Sequence, residues 1–183
     1  FPQVRLLHEL LREYSANEQE YKQYIQSLKN SVLTAFYTPD KVVKAISQSL
    51  QENGITPQRF LDPSAGMGVF AERFREGTEA MEIHSFEKDK LTGKLLSYLC
   101  LEDNVTIDSF QSIQPYYMNY FDVVSSNIPF GDTKVYDRDF ERSDDKIRRF
   151  ALGAVHNYFF LKGVDVLREG GILAYITSTG VMD

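Results

Sequence analysis

From Arg59 onward the chain alternates short apolar runs of strand length with longer segments of helical periodicity, and no other feature restricts its fold so tightly. The expected strands are Arg59 to Asp62, Glu82 to Phe86, Val105 to Asp108, Phe121 to Ser125 and Ile172 to Thr177. Helices are expected near Gly68 to Arg75, Lys88 to Leu101 and Ala151 to Leu167. This alternation predicts an α/β fold, a parallel sheet with helices on both faces. Such sheets bind ligands beyond the carboxyl ends of their strands. Asp62, Glu87, Asp108 and Asn127 all fall at or just past expected strand ends, so one edge of the sheet should collect them.

Upstream of the alternation, residues 2 to 30 read as helical, with Leu6, Leu7, Leu10, Leu11 and Tyr14 on one stripe and Tyr21, Tyr24, Ile25 and Leu28 on another. Both stripes need a partner surface, and packing on the core is the expected one. Thr38-Pro39-Asp40 then supplies a cap, a proline at the first helical position and an early acid, ahead of Val42, Val43, Ile46 and Leu50. The organisation expected is an N-terminal helical segment over 1–34 and an α/β core over 35–183. Residues 131 to 150 carry nearly balanced acids and bases and read as a solvated loop, in which Lys146, Arg148 and Arg149 could touch phosphates.

The 183 residues, 43% hydrophobic and 25% charged, suit one soluble globular domain. No stretch approaches the roughly 20 apolar residues that span a bilayer, and the first helix lacks a signal-peptide core, so a cytoplasmic protein without membrane contact is expected. Cys100 has no second cysteine to pair with and reads as a small buried hydrophobe; three scattered histidines suggest no metal site. A net charge of −6 argues against gripping nucleic acid over a broad face, because phosphate binding rests on Lys and Arg.

The segment Leu61-Asp-Pro-Ser-Ala-Gly-Met-Gly-Val-Phe70 runs from strand through an acidic glycine turn into a helix. Gly66 and Gly68 allow a tight turn and leave room for a ligand. Asp62 disfavours a pyrophosphate but suits a cationic amino-acid moiety, and the full Gly-x-Gly-x-x-Gly spacing of a nicotinamide-binding domain is missing. Glu87, at the end of the next strand, is placed where a carboxylate can accept hydrogen bonds from ribose hydroxyls.

Asp62-Pro-Ser-Ala-Gly-Met-Gly68 resembles the S-adenosylmethionine loop of the N6-adenine DNA methyltransferases. Ala35-Phe-Tyr-Thr-Pro39 resembles the segment that precedes this loop in their type I and type IIG restriction-modification members. Asn127-Ile-Pro-Phe-Gly131, His156-Asn-Tyr-Phe159 and Gly170 to Ser178 are most similar to the methylase portion of large methyltransferase-helicase proteins of phages and conjugative elements. The resemblance covers about Ala35 to Asp183. It implies a Rossmann-like S-adenosylmethionine-dependent methyltransferase sheet, C-terminally truncated, because that fold normally adds two strands and a target-recognition domain after the fifth strand.

It implies site residues as well. Phe36, Tyr37 and Thr38 would border the methionine end of S-adenosylmethionine, while Asp62, Ala65, Gly66 and Gly68 line it. Glu87 would hold the ribose, and Asp108 and Phe110 would flank the adenine ring. Asn127-Ile-Pro-Phe130 matches the family's Asn-Pro-Pro-aromatic motif except at Ile128. The Asn127 side chain and the carbonyl of Ile128 would accept hydrogen bonds from the target amino group, Pro129 would keep that carbonyl extended, and Phe130 would stack on a flipped adenine. On this reading Ile128→Pro is expected to be tolerated or beneficial. DNA would be gripped largely through regions outside this chain, with helicase or target-recognition domains as partners. The rival readings are a protein-glutamine methyltransferase, which acts on a similarly conjugated nitrogen, and a non-catalytic cofactor-binding module of an antirestriction protein.

Overall fold

The computed structural model describes residues 2–34, 38–76, 78, 80–131 and 133–178. Five parallel strands, β1 (Arg59–Asp62), β2 (Glu82–Phe86), β3 (Asn104–Thr106), β4 (Phe121–Asn127) and β5 (Leu167–Ile176), form one sheet in the order β3-β2-β1-β4-β5. The order reverses between β1 and β4, and at that switch point neighbouring crossovers leave on opposite faces and open a crevice.

Three helices precede the sheet, α1 (Pro2–Tyr14), α2 (Glu18–Thr34) and α3 (Asp40–Glu52). Five more follow β1: α4 (Val69–Arg75), α5 (Lys90–Leu99), α6 (Arg138–Arg142), α7 (Lys146–Ala151) and α8 (Val155–Val166). Side-chain alternation along the strands feeds two cores. Phe60 and Val123 pack with Val43 of α3 and Phe70 and Phe74 of α4 on one face. Leu61, Val124 and Ile128 pack with Tyr158, Phe159 and Val166 of α8 on the other. β1, β2 and β4 are buried on both sides, and the polar residues Asp62, Ser85, Ser125 and Ser126 lie buried toward their carboxyl ends.

The N-terminal helices reach the sheet unit through polar contacts. Ser27 donates to Asp89, Lys90 Nζ donates to Gln23 at 2.6 Å, and Lys94 pairs with Glu20 at 3.3 Å and lies over the Tyr24 ring. Tyr24 is buried, whereas Leu10 and Tyr14 of the first stripe are exposed. The Leu6 and Leu7 side chains lie outside the described residues. Among the described residues no helix is long and apolar enough to cross a membrane. Cys100 is half-buried, and burial followed by the nearby Asp103 charge pushes its thiol up, away from reactivity.

The structure corrects several boundaries. Residues 131 to 150 are not one solvated loop: they hold α6 and nearly all of α7, each capped by an aspartate, and Phe140 and Asp137 are buried. The alternating charges had hidden this, because part of them is turned inward and paired. The last strand starts at Leu167 rather than Ile172, with a register shift after Phe121 accommodating the extra residues. The helix expected from Ala151 begins at Val155, and the one expected from Lys88 begins at Lys90, where the Asp89 side chain accepts the Thr92 N-H.

Candidate active site

At the end of β1, Asp62 is fully buried. Its Oδ1 accepts hydrogen bonds from Ser126 Oγ at 2.6 Å and from the Ser64 N-H at 3.1 Å. Among the described residues its Oδ2 has no hydrogen-bond partner. Burial lifts its pKa to about 7; the two hydrogen bonds offset that only in part, and the Glu87 charge adds to it.

The turn that follows is fixed from two directions. Gly66 (φ +54°) and Gly68 (φ +85°) both occupy the left-handed region. A Cβ on Gly66 would meet nothing within 4 Å, whereas one on Gly68 would lie 2.8 Å from Leu96 Cδ1. Gly66 therefore serves the backbone and leaves open space; Gly68 also serves close packing on α5. The Ala65 N-H donates to the Phe86 carbonyl at 2.9 Å, tying the turn to β2.

Glu87 is engaged more deeply than a lone ribose acceptor would be. Its Oε2 accepts the Gly66 N-H at 2.8 Å and its Oε1 accepts the Asp89 N-H at 2.7 Å, and burial raises its pKa. Each carboxylate oxygen retains a second lone pair for a hydroxyl donor. Ser27 closes the chain through Asp89, so α2 is linked by hydrogen bonds to the glycine turn.

A cavity of about 480 Å³ opens beside Glu87, bounded by Ser64, Asp108, Phe110, Pro129, Phe130 and Phe159. Asp108 is exposed there and accepts its neighbour Ser109's N-H at 2.7 Å. Phe110 lines the cavity while only 1% exposed, its ring in edge contact with Phe86 and Tyr158. It is core as much as wall, which its polar neighbours in sequence did not signal.

A second cavity, about 360 Å³, lies on the α3 side, bounded by Thr38, Val42, Asn127, Phe130 and Ile176. Asn127 is the last residue of β4 and pairs with Ile176 of β5. Phe130, 47% exposed, borders both cavities. Phe36 and Tyr37 lie outside the described residues. Ile128 is 1% exposed, and its N-H donates to the Ile176 carbonyl at 3.0 Å. Proline at 128 would remove this donor, a cost that the motif alone does not show. Sequence reasoning missed Ser126, which reads only as a small strand residue. It also missed Asp89, although an aspartate before Lys-Leu-Thr is a recognisable cap signal.

The family model described as N-6 DNA methylase matches residues 18–183. The chain belongs to the N-6 DNA methylase family. Its similarity to Defense against restriction protein B of Escherichia phage P1 is 28% identity over 156 residues, 82% of this chain and 6% of that protein. Among solved structures, the modification subunit of a putative type I restriction enzyme from Vibrio vulnificus shares the fold, with a TM-score of 0.63 and 17% identity over 95% of this chain and 40% of that one. A putative RNA methyltransferase from Pyrococcus horikoshii does so with a TM-score of 0.58 and 19% identity, over 82% of this chain and 67% of that one. The chain thus spans only a small part of its phage relative and less than half of the restriction subunit.

The cofactor of this methylase fold is S-adenosylmethionine. The residues present fit it: Asp62 Oδ2, without a partner among the described residues, suits an ammonium group, and the backbone at Gly66 borders open space. The cavity beyond Glu87 is of a size to take a nucleoside.

Proposed function

We propose that this methylase chain carries the methyl-transfer site of an adenine-N6 DNA methyltransferase. The observation that supports this most is that Phe130 borders two cavities, one lined by Glu87 and the other lined by Thr38 and Asn127. Asp62 and Gly66 hold the amino-acid end of the cofactor, Glu87 the ribose, and Asp108 and Phe110 flank its adenine; Ala65 and Gly68 shape the turn. When bound, S-adenosylmethionine supplies a methyl group on a sulfonium, electrophilic without further activation.

Asn127 and the Ile128 carbonyl act on the acceptor. The lone pair of an exocyclic amine is delocalised into its ring, and two acceptors on its N-H bonds favour the pyramidal, nucleophilic form. The nitrogen sheds its extra proton after the new bond forms, so no general base is needed beforehand. Phe130 holds the flipped base by stacking, and the protein's main contribution is orientation. Duplex DNA is gripped mostly by regions other than this acidic chain, and the work is done in the cytoplasm.

Incorporation of labelled methyl groups into DNA by the longer protein, followed by nucleoside analysis, tests this reading. N6-methyladenine that disappears with Asn127→Ala is the expected result. Methylglutamine in a protein substrate, with none in DNA, would reassign the substrate; cofactor binding with no transfer to either would leave a binding module of an antirestriction protein.

A further inference from the structure

The segment after the Asn127 to Phe130 motif holds a buried ionic cluster that the chemistry above does not use. Asp137 and Lys162 are only 5% and 4% exposed. Asp137 Oδ1 accepts the N-H groups of Asp139 and Phe140, at 2.9 and 3.1 Å, and so caps α6. Its Oδ2 accepts from Tyr158 Oη at 2.6 Å and from Lys162 Nζ at 3.3 Å, both on α8. Burial disfavours the Asp137 charge, yet the donors and the Lys162 charge hold its pKa below the ordinary value. Burial and the Asp137 charge together keep the Tyr158 proton in place, so it is a permanent donor.

A buried ion pair is a poor way to gain stability, since an apolar replacement of similar volume is often as stable; what it does supply is a fixed position. Here the position has a plain geometric consequence. Residues 133–136 line the larger cavity, and they run from the motif at Phe130 to the anchor at Asp137. Between those ends the Val135 N-H donates to the Leu152 carbonyl at 2.9 Å. On α8, Phe159 also lines the cavity and is the neighbour of Tyr158, whose ring meets Phe110 and Phe140 edgewise or tilted. Asp137 therefore ties 133–136 to α8, both of which line the cavity, without lining it itself.

We propose that Asp137, held by Tyr158 and Lys162, is a positioning residue that fixes 133–136 as a wall of the cofactor cavity and so sets cofactor affinity. This rests on the assignment of the larger cavity to S-adenosylmethionine. The test is calorimetric titration of the chain with S-adenosylhomocysteine, alongside thermal melting, for Tyr158→Phe, Asp137→Asn, the double variant Asp137→Asn with Lys162→Met, and Glu87→Ala as a binding control. Tyr158→Phe keeps the packed ring and should weaken binding about tenfold, the equivalent of one hydrogen bond to a charge. Asp137→Asn strands the Lys162 charge and should lower the melting temperature. The double variant removes that charge and should recover the melting temperature while binding stays about tenfold weak. Trypsin cleavage after the exposed Lys134 and Arg138 should be slowed by the ligand in the unchanged chain and not in the double variant.

Full affinity in Tyr158→Phe and in the double variant, with Glu87→Ala weakened, would overturn the positioning role and leave the cavity assignment standing. Recovery of affinity in step with melting temperature would also overturn it, by reducing the cluster to a stabilising role. Absence of binding by the unchanged chain would overturn the cavity assignment, and the positioning role with it.

Discussion

A carboxyl group buried with one oxygen unbonded among the described residues opposes folding by several kcal/mol when ionised, and Asp62 is such a group. With its pKa lifted from 3.8 to about 7, the native chain holds a proton that the unfolded chain has released. Stability conferred by the protonated group is complete below about pH 4 and is lost as pH rises through 7, a difference of about 4 kcal/mol at most. Asp62→Asn should therefore unfold at the same urea concentration as the parent near pH 4 and at a higher one at pH 8. A cationic ligand group reverses the preference, because it binds the ionised form. S-adenosylhomocysteine affinity should rise between about pH 5.5 and 7.5 in the parent and stay flat in Asp62→Asn, as followed by calorimetry. At the other cavity, Asn127→Ala should lower turnover with little change in cofactor affinity, whereas Phe130→Ala should chiefly raise the apparent KM for DNA, by an amount corresponding to about 1 to 3 kcal/mol of lost stacking. Asp62 was legible because an acid between an apolar run and a glycine turn has few other uses. Its partner Ser126 was not, since a serine inside a strand carries no sign of the side chain it reaches across to.

Elements were legible where their period was undisturbed. The β1 to α5 alternation came through nearly residue for residue because each strand is short, has apolar residues at its core positions and is bounded by turn residues. It failed at 131–150, where a buried Asp137 reads like any solvated charge, and at β5, where a bulged start is invisible to a period-two pattern. The strand end at 128 yields a prediction opposite to the one the motif alone suggested. Ile128→Pro deletes a donor to Ile176 and exchanges a buried side chain, and should cost about 1 to 3 kcal/mol in chemical denaturation, with Ile128→Val costing about 1. Gly68→Ala should be worse than Gly66→Ala for stability, since both strain a left-handed backbone but only the former collides with Leu96. Melting curves of the two variants would show the order.

For the molecule as a whole, the parallel sheet and the edge that collects Asp62, Glu87 and Asn127 follow from the alternation, but the attachment of the N-terminal helices does not. Ser27, Gln23 and Glu20 reach α5 by polar contacts that no apolar stripe announces. Charge is the other whole-molecule property. With 26 acids against 20 bases, the chain should bind duplex DNA only weakly at physiological salt. A fluorescence anisotropy titration across salt concentrations checks this; tight, sequence-specific binding by this chain would contradict it.

Phe130 bounds both cavities, so neither can be filled without setting one wall of the other. Two ligands that share a wall are thermodynamically linked, and whatever favour or penalty the first imposes on the second is returned in full when the order is reversed. If the two cavities take the methyl donor and the acceptor base as proposed, the two should not bind independently. An adenine analogue should shift the affinity for S-adenosylhomocysteine by the same factor that S-adenosylhomocysteine shifts the affinity for the analogue, and removing the ring should bring that factor to one.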